Sequence, residues 1–139
     1  MNLVLLLNRS LKFSAFIVSG GYWVGQSVVA LKSDGSNLCT LPDLPSYRQD
    51  HTMNGDIVCG GYGSSQSGVE NTCLQLKNGV WQLYQNLLQQ RKKHVSWKRP
   101  DGKLQLMGGS ISPMTSEVVS DEESVEGFNM KYKTEYVSV

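Results

Sequence analysis

The chain has 139 residues, 40% of them hydrophobic and 18% charged, with a formal net charge of +1. That length and apolar content suit a single domain with a real core and exclude a disordered chain. The near-neutral balance excludes a global electrostatic pull towards nucleic acid or an anionic membrane. Fourteen glycines against four prolines suit a turn-rich all-β chain better than a helical bundle.

In chain order, Met1–Leu7 is apolar but lacks a basic leader, and Asn8-Arg9-Ser10 interrupts it. A buried strand is the expectation there rather than a cleaved signal. No apolar stretch approaches the roughly 20 residues that a membrane-spanning helix needs. The next apolar run ends in Ile17-Val18-Ser19-Gly20-Gly21. The pattern then recurs as Ile57-Val58-Cys59-Gly60-Gly61 and Leu104-Gln105-Leu106-Met107-Gly108-Gly109. The period is about 40 and then about 48 residues, a spacing typical of repeat architectures. Each run reads as a short strand stopped by residues that tolerate positive φ.

Around the doublets the same elements return. Arg48 and His51, then Arg91 and His94, precede the second and third doublets. In the first unit, either Arg9 and Lys12 occupy those places, or Asn2–Leu7 is the inner strand and Asn8-Arg9-Ser10 its turn. After each doublet come a polar loop and an apolar run: Ser27–Leu31, Thr72–Leu76 and Ser116–Val119. Asp34-Gly35 and Asn78-Gly79 are hairpin dipeptides, as is Asn54-Gly55, and Arg99-Pro100-Asp101-Gly102 is a further turn. Leu38, Trp81 and Phe128 follow as bulky residues, and Trp81 and Phe128 are expected to pack between units. Trp81 to Lys93 has some helical spacing, but the matching Leu41-Pro42-Asp43-Leu44-Pro45 cannot be helical, so the repeat argues for strand. Each unit reads as four short antiparallel strands, the description of a β-propeller blade.

Arg-x-x-His, the run ending in Gly-Gly and the later Trp together resemble the kelch repeat, with Gly20-Gly21-Tyr22-Trp23 and Leu41-Pro42-Asp43-Leu44-Pro45 the most similar stretches. The resemblance covers about residues 9–130. It departs at Lys12 and Leu38, which stand where the pattern has His and Trp, and in the incomplete third unit. It implies an all-β partial propeller of kelch-type four-stranded antiparallel blades. The chain would be one repeat region, 1–139, with repeats at approximately 1–47, 48–90 and 91–139. Propellers close with about four to eight blades, so three imply a fragment or self-association that completes the ring.

Catalytic and metal motifs are missing. His51 and His94 occupy equivalent places in two repeats, which explains their spacing without a metal. No G-x-S-x-G elbow and no G-x-G-x-x-G or Walker pattern occurs. No catalytic residue, metal ligand or cofactor is assigned. Asp121, Glu122, Glu123 and Glu126 read as a solvated turn. Arg91-Lys92-Lys93 with Lys98 and Arg99 falls in two loops without interleaved stacking aromatics, so neither nucleic acid nor membrane is an expected partner. Cys39, Cys59 and Cys73 are expected as buried thiols, with a Cys59–Cys73 bridge as the alternative in an oxidising compartment. The compartment itself is not legible.

In proteins similar to this one, partners dock on loops that follow Gly-Gly and loops that lead into Arg-x-x-His. Carried onto this chain, those loops hold Tyr22, Trp23 and Tyr62, then Tyr47, Arg48 and Arg91, and also Ile111–Met114. Aromatics and arginine dominate binding hot spots, although a repeated arginine also suits an architectural role. The expected function is a non-enzymatic protein–protein interaction module that binds a protein or peptide. The alternatives are a fragment of a propeller enzyme of the copper-dependent sugar oxidase kind, or a truncated product without independent function.

Overall fold

Alternation along each apolar run puts every second side chain on one face, and the turn dipeptides fold the runs back on themselves. The structure is a computed structural model that describes residues 2–8, 13–20, 25–63 and 68–131, with side chains placed from residue 17 onwards within those ranges. No helix occurs among the described residues. Strands β1 (Asn2–Asn8), β2 (Phe13–Ser19), β3 (Val28–Lys32) and β4 (Asn37–Leu41) form one four-stranded sheet in that order. A second sheet has the order β6 (Thr52–Asn54), β7 (Ile57–Cys59), β9 (Thr72–Lys77), β10 (Val80–Asn86). A third has the order β11 (Val95–Lys98), β12 (Leu104–Met107), β13 (Ser116–Val119), β14 (Ser124–Glu126). All pairings are antiparallel.

The all-β antiparallel expectation is therefore correct, and each of the three repeat ranges contains one four-stranded sheet. Of the two registers for the first unit, the structure has the one in which β1 is the first strand and pairs with β2. Arg9 and Lys12 then fall between β1 and β2, outside the described residues. The stretch with partial helical spacing, Trp81 to Lys93, is not helical: its first part lies in strand β10, paired with β9 across Asn78-Gly79, and residues 87–93 form an irregular connection. Asn78 and Gly79 both have positive φ, as the tight hairpin turn requires. A short ribbon outside the sheets pairs β5 (Arg48–Gln49) with β8 (Tyr62–Gly63).

The core lies between sheets rather than within one. Ile17 and Val28 of the first sheet pack with Met53, Val58 and Trp81 of the second, and Leu44 of the connection closes the cluster. Trp81 also donates Nε1–H to the Pro42 carbonyl at 2.8 Å. Cys59 and Cys73 of the second sheet pack with Leu104, Leu106 and Val119 of the third. Trp81 is thus the inter-sheet residue its position promised. Phe128 is not: it is 56% exposed, because no sheet of the described residues covers the far side of the third one. Cys59 and Cys73 are bonded to each other at directly opposed positions of β7 and β9. Cys39 is exposed on β4, not buried.

Candidate functional site

The Arg-x-x-His motif works as a clasp between successive sheets. The backbone of the arginine bonds backwards: Arg48 N–H to the Gly25 carbonyl and Arg91 N–H to the Glu70 carbonyl. Its side chain bonds forwards, into its own unit. Arg48 Nη1 donates to the carbonyls of Gly60 and Thr72, and Nη2 to Thr72 Oγ1. Arg91 repeats this with Gly108, Thr115 and Thr115 Oγ1. The chain then turns through a residue of left-handed φ, Asp50 or Lys93. That turn sends the histidine back across the junction, so that His51 Nε2 meets Ser19 Oγ at 2.9 Å and His94 Nε2 meets Thr52 Oγ1 at 2.7 Å.

The first glycine of each of the first two doublets makes room for this clasp. A Cβ on Gly20 would lie 2.5 Å from both the Arg48 carbonyl oxygen and His51 Cε1, and one on Gly60 would strike the Arg91 carbonyl and His94. Burial pushes both histidines down to about 3, and the arginine that opens each motif pushes the same way. Both imidazoles are therefore neutral at pH 7. Glu70 lies 3.9 Å from Arg48, and Glu117 lies 3.6 Å from Arg91. Desolvation raises the Glu117 carboxyl despite the opposing Arg91 charge, while its oxygens accept from the backbone N–H groups of Leu88 and Gln89.

Outside the clasps, the same connections and the β5–β8 ribbon carry a second cluster, half-buried at Tyr47, Gln49 and Lys92 and exposed at Tyr62. Tyr47 lies flat against Gly25, where any Cβ would overlap its ring, and its hydroxyl donates to Gln49 Oε1 at 3.0 Å. Gln49 stands directly opposite Tyr62 in the β5–β8 ribbon. Tyr62 is 41% exposed and rests on Gly68, whose Cβ would approach the ring to 2.8 Å. Lys92 Nζ sits 5.1 Å from the Tyr62 ring centroid, a cation–π pair worth about 0.5–1 kcal/mol at an exposed site. With Glu70 and Glu117 facing the buried arginines, Lys92 is a cation that this surface displays. Tyr47 and Tyr62 are thereby fixed in orientation before any partner arrives, which lowers the entropy cost of binding.

Tyr47 and Tyr62 are thus brought together across one ribbon, as parts of a single surface. Arg48 and Arg91 do not join them. They are 2% and 0% exposed, with guanidinium groups turned into the sheets, and this removes them from the candidate surface. Tyr22 and Trp23 lie outside the described residues. Ile111 and Met114 are exposed on the third unit's loop. Gln49 joins the cluster without a signal in the sequence, because only the pairing of β5 with β8 sets it opposite Tyr62. Lys92, part of the basic run, is brought to Tyr62 where Gly61 N–H bonds the Arg91 carbonyl. A comparison with protein-family models finds no match, and neither does a comparison with curated proteins.

For the copper-oxidase alternative, the geometry offers little. Both imidazoles are engaged across sheet junctions, Cys59 and Cys73 are consumed in a disulfide, and Cys39 is exposed on β4. No group of three or more histidine, cysteine or acidic side chains is placed to hold a metal among the described residues.

Proposed function

We propose that the chain is a segment of a kelch-type β-propeller that acts as a non-enzymatic protein-interaction module. Three four-stranded antiparallel meanders, whose first strands β1, β6 and β11 lie side by side, support the blade reading. The observation that carries the interaction reading is the Tyr47–Gln49–Tyr62–Lys92 cluster. It combines two seated aromatic rings, an amide and a cation on the short β5–β8 ribbon and its adjoining connections, outside the three four-stranded sheets. Rigid aromatics beside a polar rim are what a peptide-binding surface needs.

Selection of a random peptide library against the full chain tests the proposal. Enriched peptides should bind Tyr62→Ala and Tyr47→Ala at least about tenfold more weakly, the loss typical of a hot-spot aromatic. The unfolding midpoints of both variants should stay near that of the parent. Peptides that bind both variants as well as the parent would place the binding surface elsewhere, and a library that yields no binder would end the proposal.

A further inference from the structure

The two internal junctions show what the end faces of the stack fit. Each later sheet meets its predecessor through the residue two places before its first doublet glycine: Val58 packs on the first sheet and Leu106 on the second. The receiving sheet offers the residue three places before, Ile17 in the first junction and Ile57 in the second. Both kinds of position recur at the two ends as Val18 and Gln105, which are 9% and 5% exposed although no described sheet stacks on them.

On the first sheet, Ile17 and Val28 point to the second sheet, so alternation puts Val18, Val29 and Leu31 on the opposite face. Val18 and Val29 are directly paired, as are Val58 and Leu74 in the second sheet, and the latter two belong to the cluster that joins it to the first. On the third sheet, the outward face carries Gln105 and Val118 in an open groove of about 670 Å³, lined by Trp97, Val125 and Phe128 and also by the charged Arg99, Asp101, Lys103 and Glu126. Trp97 is 51% and Val125 40% exposed, an unusual display for large apolar side chains on one surface. Trp97, Gln105 and Val118 stand at the register positions of Asn54, Ile57 and Gln75, which lie on the face of the second sheet turned towards the third.

We infer that the outer face of the third sheet docks the outer face of the first sheet of a second copy of this chain. The contact is head-to-tail: a copy with Val18, Val29 and Leu31 over the Trp97 groove continues the stacking that the chain already makes twice. It joins two different faces, so it is a heterologous contact that either closes or extends. The inference rests on the two internal junctions alone and is independent of the binding cluster.

Sedimentation of the full chain over a concentration series tests it. The expected result is concentration-dependent association, weakened about tenfold or more by Trp97→Glu or by Phe128→Lys, with unchanged circular dichroism. Polarity is read in a Cys39→Ser background, by mixing a Val29→Cys variant with a Val125→Cys variant under mild oxidation. A cross-link that forms between the two variants but within neither alone is expected. Cross-linking of Val125→Cys to itself would overturn the head-to-tail contact, and so would a monomer at all concentrations up to about 1 mM.

Discussion

The clasp residues of this protein hold one another in states that none would adopt alone. Arg91 is buried against Glu117 and three acceptors of its own unit. Arg91→Met should therefore leave the buried Glu117 carboxylate without its cation and the Gly108 and Thr115 carbonyls without their guanidinium donor, at a cost of about 3–5 kcal/mol in chemical denaturation. Glu117→Gln should cost less, since the amide oxygen still accepts from Leu88 or Gln89. Gly60→Ala provides a second test. Its φ of 63° and the blocked Cβ position both oppose the change, whereas Gly79 at φ 76° has open space around it. Gly79→Ala should cost only the left-handed penalty of about 1–2 kcal/mol, and Gly60→Ala clearly more. The glycines and the Arg-x-x-His motif were legible in the sequence because the repeat displays the doublet three times and the motif twice. Their acidic partners were not: Glu70 stands two residues before its threonine and Glu117 two residues after, so no alignment of the units pairs them.

At the level of elements, the middle sheet is held twice at the same place. The disulfide joins Cys59 to Cys73, and Arg48 bridges the next residue, Gly60, to the preceding one, Thr72. Both close the segment that carries Tyr62 and Glu70. The chain-entropy account gives about 3 kcal/mol for a loop of this length, so replacing both cysteines with Ala should lower stability by about 2–4 kcal/mol. Because Arg48 spans the same strand ends, a cycle combining those replacements with Arg48→Met should be non-additive by about 0.5 kcal/mol or more. Ser19 with Val28 and Met107 with Ser116 fill the matching pairs in the other sheets, so this double closure is confined to the middle unit. Strand order was legible from the turn dipeptides, which sit where β6 meets β7 and β9 meets β10. The β5–β8 ribbon was not, because two residues per strand carry no periodicity. With it the sequence hid the meeting of Gln49 and Tyr62, although Tyr47 and Tyr62 were themselves expected on partner-binding loops.

Across the whole molecule, the buried histidines set the response to acid. Each has a folded value of about 3 against an ordinary value near 6.5 in the unfolded chain. The unfolded state therefore takes up the protons first, and the stability these groups provide is complete above about pH 6.5 and lost as pH falls towards 3. The slope reaches about 1.4 kcal/mol per pH unit for each histidine. Glu117 acts in the opposite sense near the carboxylate range, because its raised value favours the protonated folded form there. Unfolding free energies measured between pH 7 and 4 should fall with acid, and more shallowly in His94→Gln. An equal slope in that variant would show that the imidazole charge is not what the junction resists.

The clasps also point in one direction along the chain. Ser19 and Gly20 are closed over by His51 and Arg48, and Thr52 and Gly60 by His94 and Arg91. Across each junction, the earlier sheet is therefore latched by a histidine that follows it, while the arginine side chain of the same motif ties down the sheet still to come. During synthesis from the N-terminus, each of the first two sheets leaves the ribosome before its junction histidine does. Its junction face stays open until the next Arg-x-x-His has emerged, so the stack closes as a zipper whose slider trails one repeat behind the growing end.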